Sequence, residues 1–213
     1  DRGLVGSEMC IRDRISIMQL SKDGQNVIGS KIDLSCDCLG ISGGWTPAVH
    51  LFTQSGGKLK FRDEDQVFIP NVYPSDQISV GACNGDLTLD SILVNVPKSL
   101  KDFLNIKNNV YENFDVLSSH NNFKRNIWLL PSDKVLGKTK SFVDYQNDAT
   151  AKDIKLALRE GFKSIEHVKR YTTTGMGTDQ GKLGNMHALG IISETSEAKI
   201  CLLYTSDAAD DQA

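Results

Sequence analysis

The sequence predicts an α/β chain in two parts, short strands and turns over residues 15–100 and a small helical domain over 139–200. Two observations carry this. In the first part, alternating or apolar runs recur between glycine-bearing turns such as Lys22-Asp23-Gly24-Gln25, Gly43-Gly44 and Asn84-Gly85. In the second, capping residues precede apolar positions at helical spacing, and glycine follows.

Residues 15–20 alternate apolar and polar side chains, the pattern of a strand. A second strand is expected over 31–42, with Ile32, Leu34, Leu39 and Ile41 apolar, ending at Gly43-Gly44. Pro47 suits the first turn of a helix running to about Gln54. Residues 59–61 and 67–69 predict a hairpin around Asp63-Glu64-Asp65, and residues 78–82 another strand. Strands, glycine turns and helices in this order suggest part of an α/β dinucleotide-binding domain, although no Gly-x-Gly-x-x-Gly occurs. Residues 101–138 read as a connection, Asn-rich over 105–122, with a short apolar strand at 127–131. Thr150-x-x-Asp153 approximates a capping box for a helix with Ile154, Ala157 and Leu158 on one face and Gly161 at its end. Ser164 caps a second helix, with Ile165 and Val168 inward. A third is expected after Asp179, with Met186 and Leu189 inward.

A net charge of −3 argues against nucleic acid as a general partner, and no apolar run approaches membrane-spanning length. The five cysteines are scattered, and an odd number suits a reducing cytoplasm better than a disulfide framework. Cys36-x-Cys38 stands without a second pair. Period-two spacing puts both thiols on one strand face, so buried structural cysteines are expected rather than metal ligands. His50 is expected to pack and carries no assigned role.

The densest chemistry runs from Lys169 to Lys182, where a Lys-Arg pair, Thr172, Thr173 and Thr174, and Gly175, Gly177 and Gly181 follow one another. Cations, hydroxyls and turn N–H groups converging on one point make an anion site, most naturally for phosphate. Lys169, Arg170, Thr174, Gln180 and Lys182 are the candidate donors. It is not a Walker A loop, because Leu183 follows Gly181-Lys182 and Met176 holds the place of the first glycine. A solvated Thr/Gly surface turn fits the composition equally well.

Longer blocks of sequence separate these alternatives. One comprises Val143-Asp144-Tyr145-Gln146-Asn147-Asp148, Thr150-Ala151-Lys152-Asp153-Ile154, Arg159-Glu160-Gly161-Phe162, the run from Ser164 to Met176, and Thr178-Asp179-Gln180-Gly181-Lys182 with Asn185. Others are Cys36-Asp37-Cys38-Leu39, Ser42-Gly43-Gly44-Trp45, Pro47-Ala48-Val49-His50-Leu51 and Gly81-Ala82-Cys83-Asn84-Gly85. In these blocks the chain resembles the alpha-subunit family of heterotetrameric sarcosine oxidases. The resemblance implies a cytoplasmic complex of alpha, beta, gamma and delta subunits that oxidatively demethylates sarcosine to glycine. Hydrogen peroxide is formed, and the one-carbon unit leaves as formaldehyde or 5,10-methylenetetrahydrofolate. It also implies NAD held by alpha, FMN shared with beta, and FAD and tetrahydrofolate elsewhere in the complex. Ala82, Leu87 and Leu89 would line NAD, with Leu89 standing where a hydroxyl residue is expected. The five residues of the 169–182 stretch would meet the FMN phosphate. No catalytic acid, base or nucleophile is assigned to this chain. A related amine dehydrogenase subunit, such as that of N-methylglutamate dehydrogenase, and a non-catalytic electron-transfer module are the alternatives.

The helical part also resembles the bacterioferritin-associated-ferredoxin [2Fe–2S] module. The four thiolate positions of that module fall on Asp144, Gln146, Asp179 and Gly184, so no iron–sulfur cluster is expected. The two ends, residues 1–14 and 201–213, resemble translated sequencing-adapter read-through. They are expected to be non-native tails with no consistent contacts.

Overall fold

In the computed structural model the described residues are 2–5, 14–22, 24–40, 44–74, 76–107, 127–131, 140–182, 184–200 and 203. The chain divides into two compact units, one of residues 1–40 with 127–213, the other of residues 41–126. Residues 15–40 thus group with 127–213, and residues 41–100 with the second unit. The Gly24 turn lies against Ile127, whose side chain would be 3.3 Å from a Cβ at that position.

The first unit opens with β1 (Arg2–Val5), β2 (Arg14–Leu20) and β3 (Val27–Ser35), an antiparallel sheet in chain order with β3 at its edge. Ile17 pairs with Ile32 and Ile15 with Leu34, so the apolar alternation of β2 meets that of β3 on one face. Ser16 points the other way and is buried, its hydroxyl donating to Asp33 Oδ1 at 2.6 Å. β1 pairs with β2, Arg2 opposite Gln19, which corrects the expectation that residues 1–14 make no consistent contacts. A ladder is built from backbone groups, so an open strand edge accepts any extended segment. β3 stops at Ser35, opposite the first residue of β2. Cys36 and Cys38 therefore lie beyond the ladder, half-buried and exposed, and Cys38 is not the buried cysteine expected.

The helical part starts with β6 (Phe142–Asp144) and β7 (Ala149–Thr150), a short antiparallel pair leading into α3 (Ala151–Arg159). The capping box forms: the Asp153 N–H donates to Thr150 Oγ1, and Asp153 Oδ2 accepts from the Thr150 N–H at 2.9 Å. α3 ends in a Schellman pair, the Phe162 N–H on Ala157 O and the Gly161 N–H on Leu158 O, both at 3.1 Å. α4 (Ile165–Thr172) follows Ser164, whose side chain makes no capping hydrogen bond. α5 (Asn185–Ser196) closes the unit. Ile154, Ala157, Ile165, Val168, Ala188, Leu189, Ile191 and Ile192 form the buried core. Leu158 and Met186, expected inward, are half-buried.

The apolar run at 127–131 is not a strand. Trp128 instead lies on α5, where Gly190 leaves room: a Cβ there would fall 2.0 Å from the indole. Replacing Thr150 with alanine removes the cap of α3 and is expected to cost about 1 kcal/mol, read as a shift of the urea midpoint at unchanged slope.

The second unit holds α1 (His50–Gln54), the hairpin of β4 (Lys58–Arg62) and β5 (Val67–Val72), and α2 (Leu89–Leu104). The hairpin forms where expected, its register running from Lys58 opposite Val72 to Arg62 opposite Val67. α1 begins at His50, so Pro47 precedes the helix, and His50 is exposed rather than packed. The strand expected at 78–82 is not formed. Gly81 and Gly85, both with positive φ, bracket a 3-10 turn over Gly81–Asn84 instead. α2, for which the sequence predicts no helix, starts at the Thr88 cap and runs through Pro97, its apolar stripe continuing past the proline. Among the described residues every strand pair is antiparallel. The mixed α/β class holds, while the parallel ladder of a dinucleotide-binding domain is not among them.

Candidate functional site

α4 ends at Thr172, and Thr173 takes the left-handed conformation that turns the chain back. The Thr172 hydroxyl donates to Val168 O at 2.8 Å. The Thr174 hydroxyl, 2.8 Å away, then donates to Thr172 Oγ1. Thr174 is fully buried, so its proton is spent inside the fold and not offered to a ligand. Lys169 Nζ sits 2.7 Å from Glu166 Oε1, one turn back on α4. Gln180 is exposed but its Nε2 donates to Gly177 O at 2.9 Å. Arg170 and Lys182 are exposed, and neither has an ion pair among the described residues. Of the five nominated donors, these two remain as free cations.

The turn does carry an anion, but it is internal. Asp144, at the end of β6 and 6% exposed, aims its carboxylate at the turn. Oδ2 accepts the Gly175 N–H at 2.8 Å and Asn147 Nδ2 at 3.2 Å. Oδ1 accepts the N–H groups of Gln146 at 2.8 Å and Asn147 at 3.1 Å. Next to it, Gln146 Oε1 accepts from the Thr178 N–H at 2.6 Å and the Thr178 hydroxyl at 2.8 Å. Two of the amides expected to cradle an external anion are thus occupied by β6 and the residues after it. Burial pushes the pKa of Asp144 up. The hydrogen bonds from Gly175, from the Asn147 side chain and backbone, and from Gln146 outweigh this and hold it below the ordinary carboxylate value. Asp179, the other ionisable carboxylate of the site, lines the same hollow.

A depressed folded pKa stabilises the fold above the unfolded value of about 3.9, and that contribution disappears as pH falls through the lower folded value. Asp144→Asn should therefore lose stability relative to the parent at pH 6, with the gap narrowing below roughly pH 4. Urea midpoints across that range measure it; a gap independent of pH would contradict the assignment.

The side chain of Asn185, at the start of α5, is wedged into this turn. A Cβ on Gly175 would lie 2.2 Å from Asn185 Oδ1, and one on Gly181 2.2 Å from Asn185 Nδ2. Val143, Asp144, Tyr145, Gln146, Asp179 and Gly184 line a hollow of about 30 Å³. It includes all four positions aligned with module thiolates. Among the described residues no group of three His, Cys, Asp or Glu could hold a metal.

The other nominated residues sit in the second unit. Ala82 is exposed on the 3-10 turn, Leu87 is half-buried, and Leu89 is the first residue of α2 and 62% exposed. The turn is pinned from three sides. Arg62, paired with Asp65, donates Nη2 to Gly85 O at 2.8 Å; Tyr73 donates to Asn84 Oδ1 at 3.2 Å; Asn95 donates to Asp86 Oδ1 at 2.8 Å. The Asp65 hydrogen bond holds the Arg62 pKa above its ordinary value. Sequence reasoning missed Asp144, Arg62 and Tyr73. The local signal for Asp144 was present, since Asp-x-Gln-Asn is an Asx-turn pattern whose side chain accepts N–H groups two and three residues on. Its bond to Gly175, thirty-one residues away, had no such signal.

Residues 138–206 match the family model of the sarcosine oxidase A3 domain, reaching past residue 200, where the sequence reading ended the domain. The chain is similar to the sarcosine oxidase alpha subunit of Corynebacterium sp. (strain U-96), 31% identical over 183 residues, covering 84% of this chain and 19% of that protein. It is similar to the alpha subunit of Rhizobium meliloti (strain 1021), 33% identical over 172 residues, covering 76% of this chain and 16% of that protein. The chain thus spans under a fifth of the curated relatives it matches. Its fold is similar to that of L-proline dehydrogenase from P. horikoshii, with a TM-score of 0.53 at 19% identity, over 94% of this chain and 40% of that one. No helix among the described residues is long and apolar enough to cross a membrane.

Proposed function

We propose that this chain is a segment of the alpha subunit of a sarcosine oxidase-type complex, an oxidoreductase acting on the CH–NH bond of a small amine. The observation that carries this is the match of residues 138–206 to the A3 domain together with alpha-subunit similarity over most of the chain. The whole complex would convert sarcosine to glycine, with hydrogen peroxide and formaldehyde or 5,10-methylenetetrahydrofolate as the other products. The segment's own part is to hold cofactor and to contact the beta, gamma and delta subunits.

Two of the five nominated residues keep the chemistry that an FMN phosphate would need. Arg170 offers a planar fork and Lys182 a point charge, and both are exposed. Thr174 does not fit, being buried and hydrogen-bonded, and Lys169 is paired with Glu166. Bound FMN would supply electron relay; this chain's residues would neutralise and orient its phosphate at the boundary with beta. For NAD, the pinned turn offers exposed apolar surface at Ala82 and Leu89, and Leu87 is half-buried.

The test is a chimera. The matched segment of the Rhizobium meliloti alpha subunit is replaced by residues 15–200 of this chain and co-expressed with beta, gamma and delta subunits. A co-purifying complex with flavin absorbance and sarcosine-dependent peroxide is expected. A complex that assembles without FMN, or fails to assemble while the parental alpha subunit does, overturns the proposal.

A further inference from the structure

One buried carboxylate ties together two segments that the sequence keeps far apart. Asp144 accepts from Gln146 and Asn147 on its own side and from Gly175 on the other. Asn147 repeats the bridge, its Nδ2 donating both to Asp144 Oδ2 and to Thr173 O at 3.1 Å. The donors sit on backbone already fixed: Thr173 and Gly175 both have positive φ, and the start of α5 is held by the Asn185 N–H on Gly181 O at 2.9 Å. Such a cradle selects a planar two-oxygen anion by its geometry, whichever molecule supplies it.

We propose that the amides of Gln146, Asn147 and Gly175 form a carboxylate-binding site that Asp144 fills from within the chain, and that Asp144 is thereby the positioning residue for Arg170 and Lys182. The cations lie on either side of the turn this carboxylate closes. With the site empty, Gly175 loses its acceptor, and Gln146–Thr178 and Asn147–Thr173 remain as ties from the segment after β6 to the connection between α4 and α5. The second half of this proposal rests on the flavin reading given above; the first half does not.

The experiment has two arms. In the 213-residue chain, Asp144→Ala removes the carboxylate but keeps Cβ, leaving room for formate. Its unfolding midpoint should fall by roughly 5–10 °C. Sodium formate should restore it saturably, sodium chloride at equal ionic strength should not, and the parent chain should respond to neither. Equal effects of formate on parent and variant, or a variant as stable as the parent, overturn the site. If Asp144→Ala fails to fold under every condition, Asp144→Asn decides: it sets an amide NH2 against N–H donors, and a midpoint unchanged from the parent overturns the site. In the assembled complex, FMN retention should drop in Asp144→Ala and return with formate. Retention that falls in Arg170→Ala and Lys182→Ala but not in Asp144→Ala overturns the positioning role. Retention unchanged in all three ends the flavin reading, while the formate-dependent midpoint of the chain stands on its own.

Discussion

Gly181→Ala is expected to destabilise the helical part by about 2–5 kcal/mol, which is a large fraction of the total for a domain of this size. Two costs add. Gly181 has φ +73°, where a Cβ meets its own backbone. The new methyl would also stand 2.2–2.3 Å from the Nδ2, Cγ and Oδ1 atoms of Asn185, so that side chain must leave its place beside Gly175 and the first turn of α5 must shift. Gly161→Ala is the matched control. Its φ is +97°, but nothing lies within 4 Å of its Cβ, so it should lose only the conformational cost of roughly 1–2 kcal/mol. Urea unfolding followed by far-UV circular dichroism measures both. Adding Asn185→Ala to Gly181→Ala should recover part of the loss, as coupled neighbours do. Equal costs at positions 161 and 181 would mean that Asn185 yields freely and that the wedge contributes nothing.

Arg170→Ala and Lys182→Ala should each weaken FMN retention in the assembled complex by roughly one to two orders of magnitude. A charge-assisted hydrogen bond contributes about 1.5–3 kcal/mol, and about 1.4 kcal/mol is tenfold in affinity. The double variant should approach the product of the two, and each loss should shrink as salt is raised, because the attraction that the substitution removes is itself screened. Lys169→Ala should do less, since Glu166 already answers its charge. Thr174→Val should lower stability before it touches retention, because that hydroxyl faces Thr172 in the interior. Flavin released on denaturation and counted per complex, or its dissociation followed where it is not covalently held, gives the number. Full occupancy with unchanged turnover in the double variant would make this stretch a solvated surface turn.

What the sequence showed and what it hid divide along range. The capping box at Thr150 and Asp153, the helix end at Gly161 and the hairpin between β4 and β5 are set by residues within a few positions of one another, and all three are legible. All of α2 was hidden: Pro97 stands in its middle, and the helix is carried across it by the capped start at Thr88 and an apolar stripe on both sides. The strand expected at 78–82 has the right composition, but its last residues fall between two glycines of positive φ. The 169–182 stretch was visible as a concentration of donors. Composition counts donors and cannot say which acceptor they face. Lys169, Thr174 and the Gly175 amide all turned out to be engaged within the fold, by Glu166, Thr172 and Asp144.

β3 is the edge of its sheet, nine residues long and exposed along nearly all of them, with Ile28, Ile32 and Leu34 each more than 40% exposed. Such an edge is a template: a second chain can add a strand to it as readily as β1 adds to the other side of β2. Lys31 and Asp33 alternate with the apolar residues and pair with each other at 3.1 Å, which cancels the charge that would repel an incoming strand. Self-association of the isolated chain is therefore expected to begin at this ladder rather than at the packed helices. A lysine in place of Ile28, 44% exposed on this edge, is expected to blunt such pairing.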